Sequence, residues 1–369
     1  MLANATANSN ESIVLSINSL QGAGAEKFVL TIGEAFYKLG FDVHVLRFDP
    51  KVEYILSDNL TYHFINYQQY RWLPKGKLRY SILAKKVDSY IKKNIGTPTL
   101  ILSNLERSDN IFYYSCLANV MYVIHSTLSL YYDFANVENV GALKLRLKNI
   151  YSKHPCVCVS EGVKEDFINH IGKIASITTI HNPVDRDSIQ LLSEAFVPEF
   201  ENYIVHIGSF KKAKRHDVLL KAYAKTEQTL PLLLLGQGKL KNDIEQLILE
   251  LGLQEKVFLL GFCENPYPYL KRAQFKTLTS DREGFPMVIE EALALGTPVI
   301  STDCQSGPRE MLPENNLMII NDIDSIANKL NQAMITPLQF KAEFNEALLP
   351  HNIAKKYLDF NKKCCEKKF

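Results

Sequence analysis

The clearest indication of the fold class comes from residues 12–48, SIVLSINSLQGAGAEKFVLTIGEAFYKLGFDVHVLRF. An apolar, β-branched run from Ser12 to Ile17 precedes the glycine turn Gly22-Ala23-Gly24. Apolar residues then recur at helical spacing from Phe28 to Leu39, Gly40 ends the helix as a C-terminal cap, and a second apolar run follows. This order predicts a strand, a glycine turn, a helix and another strand.

The same alternation continues along the chain and begins anew once. About six strand-length apolar runs precede residue 185, and a second series of six starts at Tyr203. Short apolar runs that alternate with helices predict parallel sheets covered on both faces. We therefore expect α/β architecture with two doubly wound domains, residues 1–185 and 186–345.

Composition excludes several classes of protein. The 42 Lys and Arg residues nearly balance 40 Asp and Glu, so the charge excess of a nucleic-acid binder is missing. Seven cysteines without a CxxC pair indicate neither a disulfide framework nor a zinc ribbon. The N-terminal residues do not resemble a signal peptide and no apolar run reaches the length of a membrane span. These features predict a cytoplasmic chain.

Basic and glycine residues directly after strands are the first binding candidates, because ligands of open α/β sheets lie beyond the carboxyl ends of the strands. Lys211, Lys212, Lys214 and Arg215 follow one strand end, where they oppose the helix dipole and favour an anion such as a diphosphate. A solvated helix start is the alternative. The turn Gly22-Ala23-Gly24 suits phosphate or acceptor binding, or serves only as a tight turn.

Two carboxylates in Asp281–Pro298 carry the most specific signal. Glu283 lies in a turn and Glu291 lies two helical turns further on, with seven residues between them. This separation is too great for a proton-sharing pair. The carboxylates are instead suited to accept hydrogen bonds from two hydroxyl sets of one ligand, while backbone N–H groups at the helix start face a phosphate.

Residues 283–312 resemble the Glu-x7-Glu region of the retaining glycosyltransferases of family 4. Their sequence is EGFPMVIEEALALGTPVISTDCQSGPREML. These enzymes have the GT-B fold, in which two Rossmann-like domains face each other across a cleft. The resemblance implies that a final helix within residues 346–369 returns to the N-terminal domain. Other motifs of the family match in order, at residues 22–26, 123–125, 159–163, 181–185 and 235–238. Residues 261–273 and 306–310 resemble the bacterial branch that adds hexoses or N-acetylhexosamines to surface glycans.

The resemblance implies a role for each matching residue. Glu283 would hold the donor sugar, His125 would lie over that sugar, and Lys214 would pair with the diphosphate. Glu291, rather than its neighbour Glu290, would bind the ribose hydroxyls. The remaining donor-binding candidates are glycines, backbone amide donors and residues of the basic segment, where Ser209 replaces the usual arginine: Gly22, Gly24, Ser209, Lys211, Arg215, Gly284, Phe285, Pro286 and Met287.

The implied activity is retaining transfer of a sugar from a nucleotide diphosphate, UDP, to a lipid-linked oligosaccharide, a lipopolysaccharide or a capsule-type glycan. Neither a cofactor nor a metal is expected, because lysines neutralise the leaving diphosphate. The patterns Asp185-Arg-Asp187 and Asp322-Ile-Asp324 are interpreted as accidental. The alternatives are a nucleotide-sugar epimerase and a non-enzymatic two-lobed sugar-binding protein.

Residues 71–153 hold 13 basic and five acidic residues, in a chain whose net charge is only +2. Tyr70 and the single tryptophan, Trp72, lie at the start of this region. Basic residues mixed with aromatic ones suit an anionic membrane surface, and a solvated basic face is the alternative. The resulting hypothesis is a peripheral protein on the inner face of the bacterial cytoplasmic membrane.

Overall fold

The computed structural model describes residues 11–21, 24–174 and 176–366. Within these residues, all of the strand pairings in the two sheets are parallel. The first sheet contains β1 Ser12–Ile17, β2 Asp42–Arg47, β3 Thr61–Phe64, β4 Leu100–Asn104, β5 Val120–Ile124, β6 Cys156–Cys158 and β7 Ile177–Thr179. The second contains β8 Ile204–Ile207, β9 Leu232–Leu235, β10 Val257–Gly261, β11 Phe275–Leu278, β12 Val299–Thr302 and β13 Leu317–Met318.

Helices alternate with these strands. They are α1 Gly24–Lys38, α2 Lys77–Asn94, α3 Leu105–Tyr114, α4 Leu128–Tyr131, α5 Val140–Tyr151, α6 Glu161–His170, α7 Arg186–Leu192, α8 His216–Tyr223, α9 Lys241–Glu250, α10 Tyr267–Arg272, α11 Met287–Ala294, α12 Pro308–Met311, α13 Ile323–Ile335 and α14 Pro350–Glu366. Short 3₁₀ turns lie at Tyr67–Tyr70, Lys212–Lys214, Glu314–Asn316, Pro337–Phe340 and Glu346–Leu348.

The strand orders are β3-β2-β1-β4-β5-β6-β7 and β10-β9-β8-β11-β12-β13. Chain order therefore reverses between β1 and β4 in the first sheet and between β8 and β11 in the second. Such switch points open a crevice at the carboxyl ends of the strands. The central strands β1, β4 and β9 are buried along their whole length, as strands covered on both faces must be. The prediction of two doubly wound Rossmann-like domains is confirmed.

The chain crosses between the two domains twice. The first crossing lies near Val184 and the second near Leu348, and the N–H of Val184 donates to the carbonyl of Leu348 at 2.9 Å. After the second crossing, α14 packs on α1 and buries Tyr357 in the N-terminal core, where its ring centroid lies 6.0 Å from that of Phe28. The domain limits at residues 185 and 345 stay predictions, and both fall close to these crossings.

Candidate active site

The loops that follow β8 and β11 meet at the switch point of the C-terminal sheet. The N–H of Asp281 donates to the carbonyl of Ala213 at 3.0 Å, which fixes one loop against the other. Lys214 Nζ thereby lies 2.5 Å from Glu283 Oε1, and Ser280 Oγ donates to the same carboxylate oxygen at 2.6 Å. Two residues that are 69 positions apart in sequence thus form one ion pair at the carboxyl edge of the sheet.

The basic segment after β8 is held by a close approach of backbone to backbone. A Cβ atom at Gly236 would lie 2.0 Å from the carbonyl oxygen of Gly208, and one at Gly238 would lie 2.4 Å from that of Phe210. The N–H of Phe210 also donates to the carbonyl of Gln237 at 2.9 Å. Glycine is therefore required at both positions, and this contact sets the path of the chain leading to Lys214.

The four cations of this segment are not equivalent. Lys211 and Lys212 are exposed, whereas Lys214 is partly buried against Glu283. The guanidinium of Arg215 makes two hydrogen bonds of 2.9 Å to the carboxylate of Asp217, a residue of its own domain. This bidentate pairing orients the guanidinium, and the predicted donor contact of Arg215 stays a prediction. The carbonyl of Ser209 accepts the N–H of Lys211 at 2.8 Å, and this bond shapes the turn.

The turn that follows Glu283 docks into the N-terminal domain. A Cβ atom at Gly284 would lie 1.9 Å from the carbonyl oxygen of His125, so only glycine fits. Ser160 Oγ donates to the carbonyl of Gly284 at 2.8 Å, and Phe285 and Met287 are buried in the N-terminal core. One correction to the expected donor set follows from chemistry. Pro286 has no N–H and is not a backbone donor, which leaves Gly284, Phe285 and Met287 in that role.

His125 follows β5 and is held as a neutral imidazole. Its Nε2 lies 2.8 Å from Asn104 Oδ1. Asn104 Nδ2 donates to the carbonyl of Ser16 at 3.1 Å, which assigns the oxygen of that amide to His125. His125 Nε2 is therefore the protonated nitrogen and Nδ1 is an acceptor. Burial lowers the pKa of His125 to about 3, so the ring is uncharged at neutral pH.

Glu291 and Glu290 are adjacent on α11 but have different surroundings. Glu291 forms an ion pair with Lys27 of α1, which also hydrogen-bonds the hydroxyl of Tyr267. Both members of the pair line a cavity of about 340 Å³ between the domains. Glu290 is 2% exposed, its Oε2 has no hydrogen-bond partner among the described residues, and burial raises its pKa to about 8. Of the two carboxylates, Glu291 is the one that lines the interdomain cavity.

The glycine turn after β1 is only partly described. Gly22 lies outside the described residues, and Gly24 begins α1 at an exposed position. Two residues further on, burial raises the pKa of Glu26 to about 7, and the positive charge of Lys211 opposes that shift. Lys211 of the other domain thus lies close enough to the start of α1 for its charge to act on Glu26.

Sequence reasoning did not assign a role to Glu310, although the motif containing it was identified. The Glu310 carboxylate accepts the N–H groups of Glu161 at 2.9 Å and Gly162 at 3.1 Å, and His181 Nε2 donates to it at 3.0 Å. Burial alone would raise the Glu310 pKa, but these hydrogen bonds hold it below its ordinary value. Glu310 thus caps α6 across the domain interface.

Lys27 is the other residue that sequence reasoning missed. It directly follows the motif at residues 22–26, and that position was the only signal available. Its partner Glu291 is 264 residues away, so no local pattern links the two.

Two family models together match most of the chain. "Glycosyltransferase Family 4" matches residues 22–188, and "Glycosyl transferases group 1" matches residues 190–348. A Campylobacter jejuni protein named N-acetylgalactosamine-N,N'-diacetylbacillosaminyl-diphospho-undecaprenol 4-alpha-N-acetylgalactosaminyltransferase is 29% identical over 88% of this chain and 89% of its own length. The lipopolysaccharide 1,6-galactosyltransferase of Salmonella typhimurium is 27% identical over 54% of this chain and 57% of its own.

Solved structures share the whole architecture. Sucrose-phosphate synthase from Thermosynechococcus elongatus superposes with a TM-score of 0.73 at 19% identity, over 96% of this chain and 94% of that one. The Anabaena protein HepE, solved in complex with UDP and glucose, gives a TM-score of 0.71 at 18% identity over 97% and 99% of the two chains. At such identities the likeness shows the fold.

Proposed function

This chain belongs to the GT-B glycosyltransferases of family 4, and we propose that it transfers a hexose or N-acetylhexosamine from a UDP-sugar, with retention, to a lipid-linked or lipopolysaccharide-type glycan. The observation that carries the proposal is the Lys214–Glu283 pair at the carboxyl edge of the C-terminal sheet, next to the turn that docks on His125. The names of the Campylobacter and Salmonella relatives support this acceptor class. Family membership favours transfer over an epimerase or a sugar-binding protein.

The arrangement acts through charge and position. When the donor binds, Lys214 exchanges the Glu283 carboxylate for the diphosphate and stabilises the charge that develops on the leaving group. The freed carboxylate then accepts hydrogen bonds from the sugar hydroxyls, and the carboxylate of Glu291 accepts those of the ribose hydroxyls. His125, neutral and fixed by Asn104, accepts a further hydroxyl at Nδ1. With the sugar oriented in this way, the acceptor hydroxyl bonds to the anomeric carbon on the face from which the diphosphate departs. The bond between that carbon and the diphosphate oxygen breaks, the hydroxyl proton passes to the leaving diphosphate, and rate enhancement rests on positioning and electrostatics.

Lysine rather than metal neutralises the diphosphate in this proposal. Both Asp-x-Asp patterns serve as helix caps, which supports their interpretation as accidental. Asp185 accepts the N–H of Ser188 at 3.2 Å at the start of α7, and Asp322 accepts that of Ser325 at 2.9 Å at the start of α13. Among the described residues, no three His, Cys, Asp or Glu side chains are grouped as a metal site requires.

The test of the proposed function is sugar transfer from UDP-sugars to a lipid-linked acceptor, with and without EDTA. Transfer should survive chelation and should fall about a hundredfold or more in Lys214→Ala, because the leaving diphosphate loses its counter-charge. Lys221→Ala, an exposed lysine on α8, is the charge-matched control and should retain activity. Complete loss in EDTA that Mg²⁺ or Mn²⁺ restores would overturn the metal-independent mechanism, and conversion of the donor without acceptor would favour the epimerase.

A surface of the N-terminal domain supports peripheral membrane attachment. We define the basic-aromatic patch as the exposed residues Arg71, Trp72, Lys75, Lys77, Leu78, Ile82, Lys85 and Lys86. Trp72 is 80% exposed and Leu78 is 55% exposed, beside these cations. Arg79 donates to the carbonyls of Leu73 and Arg71, which fixes the Trp72 loop on α2. We propose that this patch contacts an anionic membrane surface.

No helix in the described part of the chain is long and apolar enough to cross a membrane.

A further inference from the structure

Lys27 connects the N-terminal domain to the carboxylate that the proposed function assigns to the ribose. It lies in the first turn of α1, and its ammonium contacts both the carboxylate of Glu291 and the hydroxyl of Tyr267 in the other domain. The Glu291 side chain is 4% exposed and that of Lys27 is 28% exposed. The ammonium also lies 4.9 Å from the centroid of the Tyr267 ring. The pair is therefore enclosed by protein on most sides.

The electrostatics of the pair keep it ionic. Burial by itself would lower the pKa of Lys27, but the carboxylate of Glu291 and the hydroxyl of Tyr267 raise it above its ordinary value. Lys27 is thus a cation at neutral pH. A charge-assisted hydrogen bond between two partly desolvated groups is among the stronger polar contacts in proteins.

A nucleotide and Lys27 need the same carboxylate. The ribose hydroxyls donate hydrogen bonds, and Lys27 already donates to Glu291 Oε1. The Glu291 side chain is only 4% exposed, so too little of the carboxylate is accessible to accept further donors while Lys27 stays in place. We propose that Lys27 holds Glu291 in the nucleotide-free protein and that a nucleoside diphosphate must displace it to bind. Lys27 is then a positioning residue that acts on the nucleotide through Glu291. This inference rests on the proposed function, because it takes Glu291 as the ribose ligand.

The cavity beside the pair has room and charge for the displaced ammonium. It measures about 340 Å³ and is lined by Lys27, Thr31 and Glu34 of α1 together with Tyr267 and Glu291. Glu34 Oε2 accepts a hydrogen bond from Asn59 at 3.1 Å, whereas its buried Oε1 has no partner among the described residues. A second carboxylate with an open acceptor site thus lines the same cavity. Displacement therefore does not leave the ammonium isolated from any anion.

The inference predicts an effect opposite to that of an ordinary diphosphate-binding lysine. Removing the competing cation raises the fraction of molecules whose Glu291 is open, so UDP binds more tightly. In calorimetric titrations with UDP, Lys27→Met should lower the dissociation constant by about tenfold. Lys27→Arg, which keeps the charge, should retain the wild-type affinity. Lys38→Met, at the exposed far end of the same helix, is the matched control and should leave affinity unchanged.

A double-variant cycle separates this inference from the proposed function. In the Glu291→Ala background, Lys27→Met should no longer tighten UDP binding, since the residue through which Lys27 acts is gone. Unchanged or weaker UDP binding in Lys27→Met, with wild-type circular dichroism, would overturn the inference alone. Absence of UDP binding by the wild type, or unchanged affinity in Glu291→Ala, would overturn the proposed function instead. Should Lys27→Met not fold, Lys27→Gln provides the same neutral replacement for the measurement.

Discussion

Single residues show how one step along a helix changes chemical role. Glu290 and Glu291 are neighbours, so their side chains leave α11 about 100° apart. One is buried without a partner for Oε2 among the described residues, and the other pairs with Lys27 at the interdomain cavity. The Glu-x7-Glu spacing picks out the second carboxylate, and its surroundings are those of a group that is able to meet a ligand.

Substitutions of Glu283 and Glu291 should impair different properties of the enzyme. Glu291→Ala should weaken UDP binding about ten- to a hundredfold, because a hydrogen bond to a charged group contributes roughly 1.5 to 3 kcal/mol. Glu283→Ala should chiefly reduce turnover, since we propose that this carboxylate holds the transferred sugar. Calorimetry with UDP alone, combined with transfer rates, tests both statements. Glu245→Ala, exposed on α9, is the control, and equal UDP affinity in Glu291→Ala and this control would remove the ribose assignment.

Replacing Lys276 by an uncharged residue should stabilise the protein by an amount that depends on pH. Lys276 is fully buried in β11, its Nζ has no hydrogen-bond partner among the described residues, and burial lowers its pKa to about 7. Below pH 7 the buried lysine is protonated in the folded protein, and its charge lowers the free energy of unfolding by the full amount. This destabilisation disappears as the pH rises towards the ordinary lysine pKa.

Lys276→Met keeps the aliphatic stem and removes this destabilisation. The free energy of unfolding at pH 6 should therefore rise by about 3 kcal/mol, and the gain should shrink at pH 9. Urea denaturation at the two pH values measures it. A loss of stability at pH 6, or a gain that does not depend on pH, would show that Lys276 has a partner in the folded protein.

At the scale of elements, the interface between the domains depends on the start of α6. Ser160 Oγ accepts the N–H of Val163 within α6 and donates to the carbonyl of Gly284. Glu310, which belongs to the C-terminal domain, accepts two further N–H groups from the start of α6. The first turn of this helix is thus capped by residues of both domains. The motifs that contain Ser160 and Glu310 are far apart in sequence, and they meet here because each supplies a part of this cap.

Gly162→Ala should destabilise the interface, and Gly141→Ala should not. A Cβ atom at Gly162 would lie 2.6 Å from the Cβ of Ser306, so α6 would have to move away and lose about 1 to 3 kcal/mol. A Cβ atom at Gly141 in α5 would meet nothing within 4 Å, and alanine there should add about 0.5 to 1 kcal/mol. Thermal unfolding of both variants compares them directly. Equal melting temperatures would contradict the close packing of α6.

For the whole molecule, the two sheets direct their switch points towards one shared cleft while the basic-aromatic patch lies on the N-terminal domain. A lipid-linked acceptor brings its anchor to the membrane and its glycan to the cleft. A surface that binds the membrane reversibly would hold the enzyme close to such an acceptor. Each basic residue near an anionic surface adds about 1 kcal/mol of attraction, which salt screens.

Co-sedimentation with liposomes tests this attachment. The protein should bind anionic vesicles at low salt. Binding to neutral vesicles, or to anionic vesicles at high salt, should be much weaker. The double variant Trp72→Ala, Lys77→Glu should bind at least about tenfold more weakly, because it removes the aromatic contact and reverses one charge. The matched control Leu249→Ala, Lys241→Glu changes exposed residues of the C-terminal domain and should bind normally. Equal binding to both lipids would leave the patch as a solvated basic face.

The sequence alone was sufficient to predict the fold class, because most strands and helices are encoded by local periodicity. The six strands of the second sheet were all anticipated, and so was the alternation that makes both sheets parallel. The strand β3, Thr61–Phe64, was missed. It lies at the edge of its sheet and none of its residues is fully buried, so it lacks the continuous apolar run of the inner strands.

The spacing between Glu283 and Glu291 was likewise readable from the sequence, but their partners were not. Only the tertiary structure paired Lys27 with Glu291 and placed Glu310 on α6. These contacts join residues from different domains, and their geometry depends on how the two domains pack. Periodicity describes which way a side chain leaves its own element, whereas its partner is decided by whichever element the fold brings opposite it.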